Sequence, residues 1–382
     1  MLSYNNDKNN IWDYSFIAVL ASSSAFDHTI ISRICLLIFF SLSIYYICKK
    51  KLFSFSLIFV VYALFICLGY YNLYNGNSID PLGTNKILKT MLLNLFFIFC
   101  LTQFFNIKNI ETVKKIIITS SLVSATFVFI VAILRTGSIF LREDMEIIGI
   151  NSNTTAIFCA YAITLIVTNR NLKTKHIIIV LYLLLFCALS GTRKAFLVII
   201  VGYFTYKLLK NISQLVVNVF ISFLLLVVLY ICIMRIPFLY ENIGYRFESL
   251  IVMLRGGEGD GSEEARVRMI EYGMTYFAEN PMNGYGLDTF RSIYGKYSHN
   301  NYVEILFSLG IPGIIVYYSM LVILLVATIK KRIIYKLPQY GLAIGLIISY
   351  LIIDYAIVSY YSRSCFVILL MLYSLARKPL KS

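Results

Sequence analysis

The sequence predicts an all-α integral membrane protein of about 12 transmembrane helices, with a long, partly helical external loop before the third-last span. Of its 382 residues, 59% are hydrophobic and 14% are charged, and the mean hydropathy is +0.78. A soluble domain carries about 25% charged residues. Apolar runs recur at about 20 residues, the length that lets a helix cross a bilayer. These observations exclude a water-soluble domain, a disordered chain and a secreted disulfide scaffold.

The apolar runs define the spans and divide the chain. Eleven runs have a suitable length: 30–48, 52–74, 86–107, 112–134, 153–169, 176–190, 194–209, 212–234, 301–329, 338–360 and 364–377. Segment 11–26 is shorter and contains Asp13, so it is either a twelfth span or an interfacial helix; we favour twelve spans. The predicted parts are helices 1–9 in residues 1–234, an external loop in 235–300, and helices 10–12 with a cytoplasmic tail in 301–382.

The basic residues set the orientation of the chain. Short loops rich in Lys and Arg stay in the cytoplasm. Alternate loops and the C-terminal tail carry eighteen basic residues against the single acid Glu111: Lys49, Lys50, Lys51, Lys108, Lys114, Lys115, Arg170, Lys173, Lys175, Lys207, Lys210, Lys330, Lys331, Arg332, Lys336, Arg377, Lys378 and Lys381. This distribution predicts a cytoplasmic C-terminus. It also explains much of the net charge of +15 without nucleic acid.

The opposite face prefers arginine, which outnumbers lysine there by 11 to 4. The arginines are Arg33, Arg135, Arg142, Arg193, Arg235, Arg246, Arg255, Arg266, Arg268, Arg291 and Arg363. Orientation needs only charge, whereas a planar guanidinium suits bidentate contact with phosphate or carboxylate. The external face is therefore predicted to hold an anion. The alternative is that these arginines pair with acids of the same loops.

The external loop carries a predicted helix over 262–279, with Ser262 as its N-cap and an apolar side formed by Val267, Ile270, Met274 and Phe277. That side is expected to rest on the membrane or on the bundle. Asn280-Pro281 ends the helix, and glycines follow at 284 and 286.

Next comes the start of a membrane helix, where Asn301 and Glu304 fit a capping pair. His299 lies just outside that start. His28 and His176 fall at span ends and are expected to be interfacial. The eight cysteines all fall within predicted spans without metal-ligand spacing, so no metal site and no cofactor are predicted.

Several short motifs occur together in one order. They are N-S-N at 151–153, S-G-T-R-K at 190–194, R-x-R-x12-P-x2-G-x-G-x3-F from Arg266 to Phe290, and H-N-x-Y-x-E-x5-G-x2-G from His299 to Gly313. Their order, their predicted side of the membrane and their spacing resemble those of the O-antigen ligase and Wzy polymerase superfamily. The resemblance covers about residues 150–330 in motifs, and the whole chain in span number and long late loop.

The resemblance implies a metal-independent glycosyltransferase on the outer face that uses undecaprenyl-pyrophosphate-linked oligosaccharides. A polymerase moves the growing glycan onto the incoming repeat unit, whereas a ligase moves it onto a different acceptor. A flippase and chain-length regulator proteins are the implied partners, together with membrane lipid and no nucleic acid. The departing pyrophosphate develops negative charge that arginines can stabilise, and a base such as histidine must accept the proton of the attacking hydroxyl.

By this resemblance, the expected catalytic residues are His299, as base or substrate-orienting residue, and Arg193 and Arg268, at the pyrophosphate. Each has an ordinary alternative: a helix-start hydrogen bond for His299, interfacial anchoring for Arg193, and a salt bridge to Glu264 or Glu271 for Arg268.

The expected substrate-binding residues are Arg266, Arg142, Arg291, Arg363, Asn151, Asn153, Tyr302 and Asp354. The two asparagines fit helix caps equally well. Asp354 lies about nine residues below the external end of its predicted span, where exposure of a carboxylate to lipid costs free energy. It is expected to face the bundle or a polar cavity and to pair with a tyrosine or an arginine.

The sequence thus favours a polymerase for capsule or another surface polysaccharide, acting by an inverting displacement. The ligase shares the same residues and is the nearest alternative. A flippase or transporter predicts inverted repeats and broken polar helices at mid-membrane, which the sequence does not display. A receptor or scaffold would leave the arginine bias without a reason.

Overall fold

The computed structural model describes residues 11–27, 29–136, 150–169, 171–210, 215–237, 240, 244, 248 and 261–377. Over these ranges the regular structure consists of helices, with no strand. They are α1 Ile11–Ala25, α2 Ile30–Lys50, α3 Leu57–Tyr74, α4 Pro81–Ile107, α5 Ile110–Thr136, α6 Ser152–Val167, α7 Thr174–Leu189, α8 Arg193–Lys210, α9 Leu215–Arg235, α10 Gly261–Glu279, α11 Thr289–Tyr294, α12 Asn301–Tyr335, α13 Pro338–Asp354 and α14 Arg363–Arg377.

Each of the twelve predicted segments forms a helix, so the all-α class is confirmed. Within the described part of the chain, five helices are long and apolar enough to cross a membrane: α2, α3, α4, α5 and α12. Shorter apolar helices are α6, α7 and α13. The chain is therefore a multi-pass membrane protein, and the total of twelve spans stays a prediction.

The described residues divide into two compact units. Unit 1 lies within Met1–Phe55, Phe97–Ile199 and Phe366–Ser382, and unit 2 within Ser56–Phe96 and Ile200–Cys365.

Helix α1 is packed inside unit 1. Asp13 is 3% exposed, and its carboxylate forms a salt bridge of 2.8 Å with the Lys108 ammonium. The Trp12 indole donates a hydrogen bond of 2.9 Å to the Ser43 hydroxyl. A buried charge is tolerated when it is paired. The acid that made this segment ambiguous as a span therefore has its partner within the unit.

Helix α12 of unit 2 is interrupted at Gly310, where φ is 62° and ψ is −158°. Pro312 has no N–H, so the Ser308 carbonyl receives no helical hydrogen bond from it. The Ile311 N–H also turns away from the Phe307 carbonyl. The break thus releases two carbonyl oxygens, and both need other donors.

One sequence expectation about unit 2 is wrong. The span predicted at 338–360 ends as a helix at Asp354, so Asp354 is the last helical residue and not one about nine residues below the end. Beyond this end, the Ser359 and Tyr360 N–H groups donate to the side-chain oxygen of Asn301, at 3.0 and 3.3 Å.

The side of α10 that packs within unit 2 includes residues beyond the predicted apolar side. The expectation that the predicted side rests on the membrane or on the bundle stays a prediction. Met269 is buried against Phe290 and Phe307, and Ala265, Tyr272 and Tyr276 pack around it. Val267 and Met274 of the predicted apolar side are 38% and 39% exposed. Tyrosine rings supply much of the apolar contact here, and a reading based on aliphatic residues overlooks them.

Candidate active site

The loop at 281–286 docks on the break in α12 through backbone hydrogen bonds. The Tyr285 and Gly286 N–H groups donate to the two released carbonyls at 3.0 and 2.9 Å. In return, the Ile311 N–H donates to the Pro281 carbonyl at 2.8 Å. The loop and the broken helix therefore satisfy each other's backbone, which fixes the loop without any side chain.

The same loop is held from α3 and α4. The Thr84 hydroxyl donates to the Leu287 carbonyl at 2.8 Å, and the Asn72 amide donates to the Asn283 carbonyl. The Ile79 N–H donates to the Tyr285 carbonyl at 3.0 Å. The chain that leads into α11 is thus anchored at several points within unit 2.

His299 lies in a tight turn immediately before α12. Its φ is 55°, a left-handed conformation that is uncommon for any residue other than glycine. The imidazole lies against the Tyr297 ring, with 4.0 Å between ring centroids. We call residues 298–300 the His299 turn.

Hydrogen bonds hold the His299 turn on both sides of the histidine. The Asn300 side chain caps α12 by accepting the Tyr302 and Val303 N–H groups at 3.0 and 3.2 Å. On the other side, the Glu304 carboxylate accepts the Ser298 N–H at 2.8 Å. The predicted capping pair of Asn301 and Glu304 is therefore wrong: the cap is Asn300, and Glu304 reaches back past it to Ser298.

A second residue with unusual backbone, Asp288, lies at the N-terminus of α11 with φ of 63°. Burial raises the pKa of its carboxyl; the Asp80 charge raises it further, whereas Arg291 and Lys86 lower it. Among the described residues, the other non-glycine residues with positive φ are Lys51 and Lys336, which end helices. Asp288 and His299 instead precede helices, and strained backbone of this kind clusters at functional sites.

The Tyr361 hydroxyl connects these groups electrostatically. Burial raises its pKa, the charges of Glu304 and Asp288 raise it further, and Arg291 lowers it. Tyr297, the ring against His299, also acts on it. Arg291 of the predicted set therefore acts on the same hydroxyl as Glu304 and Asp288, two acids that the sequence analysis did not assign to the site.

Arg363, the first residue of α14, is connected to Tyr361 through Asn94. It is 7% exposed, and its Nε–H donates to the Asn94 side-chain oxygen at 3.3 Å. The Asn94 amide in turn donates to the Tyr361 carbonyl at 2.7 Å. Asn94 thus links the start of α14 to Tyr361.

Tyr302 and Asp354 lie in a buried polar network beneath the His299 turn. The Asp354 carboxylate accepts from the Tyr318 hydroxyl at 2.9 Å and from the Asn301 amide at 3.2 Å. Tyr302 stacks on Tyr318 with 4.7 Å between centroids, and its hydroxyl donates to the Leu351 carbonyl at 2.8 Å. The expectation that Asp354 faces the bundle and pairs with a tyrosine is confirmed. Substrate contact by either residue stays a prediction.

The two arginines of α10 differ in environment. Arg268 is exposed and lies 3.5 Å from the Glu264 carboxylate, so the salt bridge considered as its alternative is present. Such an exposed pair stabilises a helix weakly and leaves the guanidinium available to a stronger anion. Arg266, two residues earlier, is half-buried.

Unit 1 holds the remaining described candidates. Arg193 begins α8 directly after Thr192, whose hydroxyl donates to the Asn153 side-chain oxygen at 2.6 Å. Asn151 caps α6 by accepting the Thr154 N–H at 2.9 Å. The S-G-T-R and N-S-N motifs are therefore neighbours, and the capping alternative for Asn151 is present. Arg142 lies outside the described residues.

The motifs, the His299 turn and the arginines agree with one family. Residues 178–318 match the O-antigen ligase family model. The resemblance is confirmed over this region, and members of that family are glycosyltransferase-like enzymes. This O-antigen ligase region, 178–318, contains six of the predicted site residues: Arg193, Arg266, Arg268, Arg291, His299 and Tyr302. No curated protein matches the chain in sequence.

Three residues of the site were missed by the sequence analysis as functional candidates: Asp288, Glu304 and Asn94. Glu304 was read only as a capping residue, although its place in the H-N-x-Y-x-E motif was a usable signal. Asp288 follows the glycine pair of the same loop. Asn94 has no such signal, because it lies within an apolar span about 270 residues before its partner Arg363.

Proposed function

We propose that this chain is a glycosyltransferase that polymerises lipid-pyrophosphate-linked oligosaccharide repeat units on the outer face of the cell membrane, for capsule or another surface polysaccharide. The observation that carries the proposal is the His299 turn inside the O-antigen ligase region. It combines a motif histidine with a left-handed backbone, and the ring of Tyr297 lies against the imidazole. The undecaprenyl carrier and the external site are parts of the proposal.

In the proposed reaction, the acceptor hydroxyl attacks the anomeric carbon of the lipid-linked glycan. A glycosidic bond forms, the bond from that carbon to the pyrophosphate oxygen breaks, and the lipid pyrophosphate leaves with the electron pair. His299 accepts the proton of the hydroxyl, and Arg268 stabilises the leaving charge. Arg193 of unit 1 is a separate candidate for pyrophosphate contact. No metal and no cofactor take part in this scheme.

A ligase is the second candidate, because the matched family is described as O-antigen ligase. It would use the same base and the same arginines and transfer the glycan to a different acceptor. The two activities differ in the product, since repeated transfer gives a ladder of lengths whereas ligation gives one conjugate for each acceptor.

The test uses purified full-length protein in lipid nanodiscs with undecaprenyl-pyrophosphate-linked repeat units. A product ladder supports the polymerase, and transfer only to an added second acceptor supports the ligase. His299→Ala is expected to lower the rate by about 100-fold or more, because a positioned base contributes about 10²–10⁴-fold. Arg193→Ala and Arg268→Ala are expected to lower it strongly as well.

The matched control is Lys296→Ala, which removes an exposed cation of the same loop and should leave the rate within about twofold. Normal product length and yield in all three site variants, at normal protein levels, would refute the assignment. ATP-independent movement of intact lipid-linked units without new glycosidic bonds would instead indicate a flippase.

A further inference from the structure

We propose that Glu304 is a positioning residue that holds His299 in its left-handed turn through the Ser298 backbone. This inference rests on the proposed role of His299 as the base. Glu304 is 1% exposed, and its Oε2 accepts the Ser298 N–H at 2.8 Å. A carboxylate this deeply buried does not reach a sugar hydroxyl, so its effect on the reaction passes through the turn that it holds.

The left-handed backbone explains why such a hold is needed. A non-glycine residue with positive φ is strained, and the surrounding contacts must keep it there. After the histidine, Asn300 is fixed by capping α12. Before it, the Ser298 hydroxyl donates to the Asn300 carbonyl at 2.8 Å, but this bond lies within the turn itself. The bond from Glu304 is the one among these that ties the first half of the turn to the helix.

The hydrogen bond also defines what the residue at 304 must supply. It must place an acceptor at the reach of a glutamate side chain, four residues into α12 and facing back over the first turn. A negative charge strengthens the bond, yet the geometry requires only an oxygen at the right distance. Chain length at this position is therefore predicted to matter more than charge.

Two conservative variants separate these requirements. Glu304→Gln keeps the length and an acceptor oxygen but removes the charge. Glu304→Asp keeps the charge but is one methylene shorter. If Glu304 holds the turn, Gln should keep kcat within about threefold of wild type. Asp should lower kcat on the order of 100-fold, as expected for a base displaced by about 1 Å, with KM within about twofold.

Hydrogen–deuterium exchange of the Ser298 amide gives a readout independent of activity. In full-length protein in nanodiscs, exchange at this amide should be at least about tenfold faster in Glu304→Asp than in wild type, and unchanged in Glu304→Gln within about threefold. The control is Thr328→Val, which removes a buried hydroxyl of the same helix that bonds only to the Leu324 carbonyl, at 2.6 Å. It should alter neither kcat nor Ser298 exchange.

The results distinguish this inference from the proposed function. Equal Ser298 exchange in wild type and Glu304→Asp overturns the inference whatever the activity. An active Glu304→Asp with an inactive Glu304→Gln also overturns it, because charge would then be the requirement. If Glu304→Asp fails to fold, loss of activity in folded Glu304→Gln still overturns it. Absence of glycosyl transfer by wild-type protein refutes the proposed function, whereas the exchange result continues to decide whether Glu304 holds the turn.

Discussion

Replacement of Gly310 by alanine should be among the most damaging single changes in unit 2. The backbone there has φ of 62° and ψ of −158°, a region that glycine alone occupies readily and that costs another residue about 1–3 kcal/mol. A Cβ would also meet the Pro281 carbonyl oxygen and, at 2.9 Å, the Met282 carbonyl carbon. Both atoms are backbone, so the docked loop has to move.

Moving the loop breaks the three backbone hydrogen bonds that join 281–286 to α12. Each contributes about 0.5–1.5 kcal/mol, and the carbonyls left behind are difficult to satisfy inside the protein. With the backbone strain included, we expect Gly310→Ala to lower the free energy of unfolding by about 5 kcal/mol. Because this loop leads to α11 and the His299 turn, transfer activity should fall as well.

The matched variant is Gly295→Ala. Gly295 also has a positive φ, 84°, but a Cβ there would meet nothing within 4 Å. Gly295→Ala should lower the free energy of unfolding only by the strain of a left-handed alanine, about 1–2 kcal/mol. Both variants are measured by chemical denaturation in detergent micelles. If Gly310→Ala is no more damaging than Gly295→Ala, the docking of the loop on the broken helix does not stabilise the protein as argued.

Two further changes test other contacts of the site. Asp80→Asn removes a carboxylate that accepts hydrogen bonds from the Ser292 hydroxyl and the Gly83 N–H. These bonds, the first more than the second, lower the pKa of Asp80. An acid whose pKa is lowered in the folded state stabilises the fold at pH values above its ordinary pKa. The thermal midpoint of wild type should therefore exceed that of the variant above about pH 5, and the difference should shrink as the pH falls below about 4. Asn301→Leu leaves the buried Asp354 carboxylate and the Ser359 N–H without this partner. It should lower the free energy of unfolding by about 3 kcal/mol, measured by chemical denaturation. In the Asp354→Asn background, the same change should lower it by less.

Each of these outcomes has a clear opposite. A thermal-midpoint difference between wild type and Asp80→Asn that stays constant down to pH 3 would mean that the Asp80 charge is not stabilised by its contacts. Strict additivity of Asn301→Leu and Asp354→Asn would mean that the two side chains do not stabilise each other.

Helix positions were largely predictable from the sequence, because the length and apolar character of a run depend on local composition. The span predicted at 194–209 is Arg193–Lys210 in the structure. The error at the end of α13 has a different origin. Residues 355–358 continue the apolar run, yet the helix ends at Asp354 where Asn301 captures two N–H groups from the following turn. Hydropathy does not contain that contact between distant segments.

The candidate site was predictable as motifs but not as a neighbourhood. His299 and Arg291 belong to recognisable patterns, whereas their surroundings include Tyr361, more than 60 residues later in the chain. The residues of α10 that pack on Phe290 and Phe307 were not predictable for a related reason, since a helical wheel does not reveal which residues meet distant segments. The features that could not be predicted depend mostly on contacts between residues that are far apart in the sequence.

The interruption of α12 has a consequence for how the protein is made. A helix that enters the bilayer with two bare carbonyls is unfavourable, because lipid tails offer no donors. The donors come from a segment synthesised 22 residues earlier, at positions 285 and 286. Insertion of this helix should therefore be completed only when the preceding loop has closed onto it. A chain in which that loop is kept from closing should have later helices that are sensitive to quality-control proteases.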